Sequence, residues 1–302
     1  MEPGGLLAQI RRKRISPGKL FVGTRNGVYS IQPVVRKGAK GTVMKLRGSA
    51  RQFAILAGAA AILVLSLATL QAQRRFRGMF DDSEAARESA IQQSEFVFAR
   101  VQFGSGRGGF GGYGGWAHDY PDAEEHILQI SNEATSVNLQ KMAYVIVRLD
   151  QEEIFRYPFL YFSEVGEMNL SEQEVLGFRE YLNRGGFAMI DDFDNQRSLD
   201  WFQSQMRRVF PDRTFVELTI DHPIFHTFYE IPTLNLEAPF DYGAPPRFYG
   251  YYDDKGRLLM IINHNNDIGD FWEWIDRPMY PLQPSTEALR LGINYIIFSM
   301  TH

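Results

Sequence analysis

Cysteine is absent from all 302 residues. That absence excludes disulfides, thiolate metal sites, a cysteine nucleophile and a lipidated cysteine. A chain without thiols suits either redox compartment. Basic charge is scarce over most of the length. Of the 32 Lys/Arg and 36 Asp/Glu, residues 1–72 hold twelve and one, which leaves 20 and 35 for residues 73–302, a net of −15. An acidic body of this kind argues against nucleic acid as a partner, because phosphate binding needs a basic face. Two catalytic signatures are missing as well. There is no Gly-x-Ser-x-Gly elbow. The glycine run GSGRGGFGGYGG at residues 104–115 lacks the GK[ST] ending of a phosphate loop, and no acid-tipped strand follows at dinucleotide-fold spacing. The run therefore reads as a flexible loop rather than a phosphate cradle.

Long apolar runs are also rare, and the one exception is informative. FAILAGAAAILVLSLATL, residues 53–70, carries no charge and follows Lys45, Arg47 and Arg51. With Ala72 at a small-residue position it has the basic start, apolar core and end of a secretory signal. As a membrane anchor it is near the lower length limit, and its basic flank would keep the N-terminal end in the cytoplasm. Both readings place residues 73–302 outside the cytoplasm, periplasmic or secreted. Residues 1–52 are a basic N-terminal segment, and Met44 is a plausible true start. The resulting division is 1–52 basic segment, 53–72 signal or anchor, 73–93 linker or frayed helix, and 94–302 a folded α/β domain.

The folded part is organised around Tyr157–Phe193. Tyr157–Phe162 has the aromatic and aliphatic composition of a buried strand. Ser171 with Glu174 predicts a capping box, and Val175, Phe178 and Leu182 share a helical face. Gly185 ends that helix, and Phe187–Ile190 is a second strand stopping in Asp191, Asp192 and Asp194. This is a βαβ unit on a parallel sheet. Around it, strands are expected at Glu95–Phe103, Ala143–Leu149 and Phe215–Thr219. Helices are expected at Asp122–Asn132, Ser198–Phe210 and from a Ser285 cap to Met300. Phe248–Tyr252 and Leu258–Asn263 form a hairpin. Residues 231–247, with four prolines, are an irregular loop.

Ligands of open α/β sheets sit outside the carboxyl ends of the strands. Polar residues gather at those ends: Asp191, Asp192 and Asp194 after one strand; His264, Asn265, Asn266, Asp267, Asp270 and Glu273 after another; Asp119 and Tyr120 in a third loop; His222 and His226 in a fourth. Brought together, they would bind a hard divalent metal, with Asp191, Asp192, Asp267 and Asp270 as ligands, or run acid/base chemistry. The bland alternative is that Asp and Asn only cap helices and satisfy loop backbone. Pro223 argues against one helix displaying both His222 and His226. Trp116, Trp272 and Trp274 beside carboxylates suit a carbohydrate face, or serve as core anchors.

From about Glu95 to His302 the chain resembles the bacterial family of domain of unknown function 4159. The resemblance is carried by Trp116-x-x-Asp119-Tyr120-Pro121, Tyr157-Pro-Phe-Leu-Tyr161, Arg179-Glu-Tyr-Leu with Gly185-Gly186-Phe187, and Ile190-Asp191-Asp192-Phe193. Arg208-Val-Phe-Pro211, His222-Pro-Ile-Phe-His226, Asn265-Asn266-Asp267-x-Gly269-Asp270 and Leu291-Gly-Ile-Asn294 through Thr301-His302 extend it. It implies a fold similar to class I glutamine amidotransferases, export or membrane attachment, and, since relatives are often encoded near MoxR-type ATPases and von Willebrand-type proteins, an envelope assembly role linked to such partners. The thiol of true glutamine amidotransferases has no counterpart, so glutaminase chemistry is excluded. The expectation is an extracytoplasmic α/β domain with a flavodoxin-like, mostly parallel sheet and flanking helices, preceded by one apolar helix. Its expected role is a non-catalytic binding or assembly module with no established cofactor. The alternative is a metal-assisted hydrolase of an envelope or carbohydrate substrate, with Asp191, Asp192, Asp267 and His264 as candidates.

Overall fold

The computed structural model describes residues 83–104 and 115–302. The basic segment, the apolar stretch 53–70, the first part of the linker and residues 105–114 of the glycine run lie outside the described residues. Among the described residues there are seven strands: β1 (Phe98–Gln102), β2 (Tyr144–Arg148), β3 (Phe159–Phe162), β4 (Phe187–Ile190), β5 (Val216–Glu217), β6 (Arg247–Tyr252) and β7 (Leu258–His264). They form one sheet in the order β2-β1-β3-β4-β7-β6-β5. The first five positions in that order are parallel, and β6 and β5 add to β7 antiparallel.

Strand composition explains the parallel centre. FLYF, FAMI and LLMIINH are buried along their whole length, as strands covered on both faces must be. Alternate side chains feed two separate cores. Phe159, Tyr161, Phe187 and Met189 enter one, and Leu160, Phe162, Ala188 and Ile190 enter the other. The helices are α1 (residues 83–93), α2 (Asp122–Ala134), α3 (Glu172–Asn183), α4 (Asn195–Val209), α5 (Ile268–Glu273) and α6 (Leu282–Thr301). The first core is covered by α2, α5 and α6, which pack on one another; the second is covered by α3 and α4.

The Tyr157–Phe193 unit forms as expected. Both halves of the Ser171–Glu174 capping box are made, and Gly185 takes φ 108° just past α3. Strand β4 has the expected bounds. Other boundaries differ. Helix α4 begins at Asn195, because Asn195 Oδ1 accepts from Ser198 N at 3.0 Å and adds a turn ahead of the apolar face. Helix α6 begins at Leu282; Ser285 lies inside its first turn and donates back to Pro281 O instead of capping it. Helix α5, a six-residue element, was not anticipated, since six residues carry too little periodicity to be recognised. Among the described residues no helix is long and apolar enough to cross a membrane.

Candidate metal centre at the carboxyl edge

Register delivers the site. Phe162 pairs with Ile190, and Ile190 with Ile262. The next residues, Ser163, Asp191 and Asn263, therefore emerge side by side. Asp191 continues the alternation of Phe187 and Met189 and points into the α2–α5–α6 core. It is fully buried and fully occupied there. Its carboxylate accepts from the Tyr161 hydroxyl (3.3 Å), Asn263 Nδ2 (3.3 Å) and the backbone N–H of Gly269 (2.9 Å). Asn263 Oδ1 in turn accepts from the Tyr295 hydroxyl at 3.2 Å. Gly269 is required at the start of α5, because a Cβ there would stand 2.5 Å from the Tyr161 hydroxyl and 2.9 Å from Asp119 Oδ2.

The backbone then turns sharply. Asp119, Glu164, Asp192, Asn195 and Asn265 are the non-glycine residues with positive φ among the described residues, at 63°, 52°, 54°, 59° and 53°. Four lie in loops at this edge, and Asn195 is the first residue of α4. Such conformations are uncommon outside glycine, and strain of this kind gathers at functional sites. The turn at Asp192 swings its carboxylate away from the second core, where it accepts from Ser163 Oγ at 2.9 Å and meets His118 Nδ1 at 3.0 Å.

His118 and Asp119 follow a 3-10 turn at Gly115–Ala117. A wholly buried arginine on β1 anchors their loop from behind. Arg100 Nη1 donates to Trp116 O (2.9 Å) and His118 O (2.7 Å), and its Nε pairs with Glu124 of α2. The guanidinium also lies 4.7 Å from the Tyr161 ring centroid. Asp119 is set with its side chain wholly buried. His118 Nδ1 lies 3.0 Å from Asp119 Oδ1, but its hydrogen bond goes to Asp192. Neither oxygen of Asp119 accepts a hydrogen bond from any described residue. A buried carboxylate in that condition is costly unless it is protonated or meets a cation.

Charge at the edge is one-sided. Burial, reinforced by Asp192 and Asp270, pushes the Asp119 carboxyl up to about 8, against the pull of His118 and Arg100. Burial likewise raises Asp191 to about 7, while Gly269 N–H and the Asn263 amide hold it down. Asp267 is raised well above the usual range by burial and then by Asp192, Asp119, Asp191 and Asp270. Asp270 and Glu273 are also raised, chiefly by burial. The Asp192 hydrogen bond lifts the His118 imidazole to about 9.

This donor set fits a divalent ion. One ligand atom from each of His118, Asp119, Asp192 and Asp267 lies within 4.8 Å of the others. Ligands facing each other across an ion are about 4.2 Å apart for Mg²⁺ and about 5 Å apart for Ca²⁺. Three carboxylates with one imidazole suit Mn²⁺, Mg²⁺, Ca²⁺ or Zn²⁺. Beside the cluster a groove of about 520 Å³ runs along residues 237–246. Tyr242 lines it, and the Tyr242 hydroxyl is raised by burial and by Asp267 and Asp192.

The other anticipated residues are placed as follows. Asp267 caps α5 by accepting from Asp270 N at 2.9 Å, so it serves as both cap and cluster member. Asp270 accepts from Trp274 Nε1 at 3.0 Å and from the Tyr280 hydroxyl. Asn265 Oδ1 accepts from Asn195 N, and Asn266 Oδ1 accepts from Asp267 N, so both brace the loop. His264 packs on Phe193 and Tyr249, its Nε2 3.1 Å from Asn195 O. Tyr120 stands edge-on to Tyr144 on the core side. His222 caps and His226 ends a 3-10 turn, Pro223–His226, packed against α6, and neither joins the cluster. His222 Nδ1 accepts from Ile224 N, and His226 pairs with Glu230 and Ile220 O. Asp191, expected as a ligand, has its carboxylate taken up by the buried network, and the group that converges contains His118, Asp119, Asp192 and Asp267 instead. Trp272 is core, with Nε1 on Ala288 O.

Sequence reasoning missed His118, Arg100, Ser163, Glu164 and Tyr242. His118 sits inside the Trp116–Pro121 motif, and its position beside Asp119 was the available signal. The arginine was concealed by lying in an otherwise apolar strand.

The fold and site together define an α/β domain with a mostly parallel sheet and an acid-rich cluster at its carboxyl edge. The chain belongs to the family described as domain of unknown function DUF4159, whose model matches residues 97–300. No curated protein matches the chain.

Proposed function

We propose that this protein is a divalent-cation-dependent hydrolase whose ion is held by His118, Asp119, Asp192 and Asp267. The observation that carries this reading is Asp119, a buried carboxylate that accepts no hydrogen bond on either oxygen inside a converging donor set. A bound ion would supply an activated water and polarise the scissile bond. The groove along residues 237–246 has room for a substrate, and its aromatic wall of Phe240 and Tyr242 suits an envelope carbohydrate. The parallel order β2-β1-β3-β4-β7 supports a flavodoxin-like core related to class I glutamine amidotransferases. The site lies where β1 and β3 diverge to opposite neighbours, the usual ligand position in such sheets. Residues 53–70 support a location outside the cytoplasm, secreted or held to the inner membrane.

A second reading is a non-catalytic assembly module working with membrane proteins such as MoxR-type ATPases and von Willebrand-type proteins. Phe228, Phe240, Met279 and Leu282, all exposed, favour it. The deciding experiment follows thermal unfolding of the purified full chain with EDTA, Mn²⁺, Mg²⁺, Ca²⁺ or Zn²⁺. An ion at 100 times its Kd stabilises by about 2.7 kcal/mol. Asp119→Asn should abolish the shift. Absence of any shift in the parent protein would overturn the cation site and leave the assembly reading.

A further inference from the structure

We infer that the edge holds two divalent cations rather than one, with Asp119 as the bridging carboxylate and Asp270 and Glu273 completing the second position. This rests on the first cation position proposed above and extends it.

Three observations converge. First, Asp119, Asp270 and Glu273 form a separate group whose ligand atoms lie within 4.8 Å of one another, and Asp119 is the member it shares with the His118 group. Second, both oxygens of Asp119 are buried without a hydrogen bond, and a single ion in the first position needs only one. The two oxygens face different walls. Oδ1 lies 3.0 Å from His118 Nδ1, whereas Oδ2 lies against Gly269 in the first turn of α5, 2.9 Å from where a Cβ would stand. Third, α5 carries the second set in a fixed orientation. Asp270 and Glu273 are three residues apart, on one helical face. Trp274 Nε1 and the Tyr280 hydroxyl hold the Asp270 carboxylate.

The two positions are also mechanically joined. Asp267, in the first group, caps the helix that carries the second, through its bond to Asp270 N at 2.9 Å. A carboxylate shared in this way suits ions about 3.5–4 Å apart, the spacing at which a metal pair stabilises the attacking and leaving oxygens of a displacement. The second position is entirely carboxylate and selects a hard ion, while the first includes an imidazole.

The test uses Mn²⁺ alone with the full chain. Bound Mn²⁺ is counted by elemental analysis after gel filtration, and its electron paramagnetic resonance is recorded frozen. Two ions per chain with an exchange-coupled spectrum are expected. Glu273→Gln, an isosteric change at a partly buried position, should reduce this to one ion with a single-ion hyperfine spectrum. Asp270→Asn, whose Oδ1 still accepts from Trp274 Nε1 while its amide can donate to the Tyr280 oxygen, should do the same. One ion in the parent protein, unaffected by Glu273→Gln, would overturn the second position and leave the first standing. No bound Mn²⁺ at all would overturn both.

Discussion

Asp191 and Asp119 are two buried acids at one sheet edge, and their surroundings differ completely. Asp191 sits where β4 enters the α2–α5–α6 core and receives a hydroxyl, an amide and a backbone N–H. Asp119 sits in the loop after Gly115–Ala117, equally shielded, and receives none of these. Burial is the chief cause that raises both carboxyls, and Asp192 adds to it in each. What separates them is the partner list. A satisfied buried acid ties elements together, whereas an unsatisfied one is a stored cost that a ligand relieves. The difference identifies Asp191 as a structural tie between β3, β7 and α5. Asp119 is the residue through which the proposed site would recruit a cation.

The strongest test of that contrast acts from behind Asp119. Arg100→Met strands Glu124 in the core and frees the carbonyls of Trp116 and His118. It should cost about 3–5 kcal/mol in urea unfolding, the loss expected on breaking a buried ion pair. Where the variant remains folded, it should also lose its response to Mn²⁺. A normal Mn²⁺ shift in that variant would show that the loop keeps its shape without the arginine. Next comes the tie. Asp191→Ala leaves the Asn263 amide, the Gly269 N–H and the Tyr161 hydroxyl unmatched, and should destabilise by about 3 kcal/mol with or without metal.

Asp119→Asn should do the opposite in the presence of EDTA. Removing the charge of a buried carboxylate that accepts no hydrogen bond stabilises the cation-free protein by about 1 kcal/mol, the gain seen when a functional site is relaxed. Equal destabilisation by the Asp119 and Asp191 variants would erase the distinction between them. The smallest effect lies outside the edge and serves as its control. Burial holds the His222 imidazole below its ordinary value, and its Nδ1 accepts from Ile224 N. The unfolded chain therefore takes up the proton first, and stability falls as pH drops below about 6.5. His222→Asn keeps a capping acceptor and should flatten that acid limb slightly, leaving the Mn²⁺ response unchanged. An altered Mn²⁺ response would draw His222 back into the site.

Much of the architecture was legible along the chain. The Ser171–Glu174 box, the Gly185 stop and the Phe187–Ile190 run are local signals, and each formed where it was read. The loop at 231–247 and the β6–β7 hairpin were legible for the same reason. The site was legible only as a set of loops. Asp192 and Asp267 could be named because they follow apolar strands. Asp191 was named beside them, yet neighbouring residues at a strand end point to opposite faces, and composition does not say which face is the core. Helix α5 and His118 were missed because six residues and a single imidazole carry no period.

Local chemistry in this chain determined where strands and helices start and stop, that the sheet is mostly parallel, and that carboxylates collect at the strand ends. Those outcomes depend on interactions between residues a few positions apart. Only the tertiary structure decided which carboxylates are satisfied. The β3–β4–β7 register places Asn263 beside Asp191, the Arg100 anchor fixes the loop carrying Asp119, and the left-handed turn at Asp192 brings its oxygen to His118. Partner lists depend on distances between residues tens of positions apart, and those distances exist only once both cores have packed.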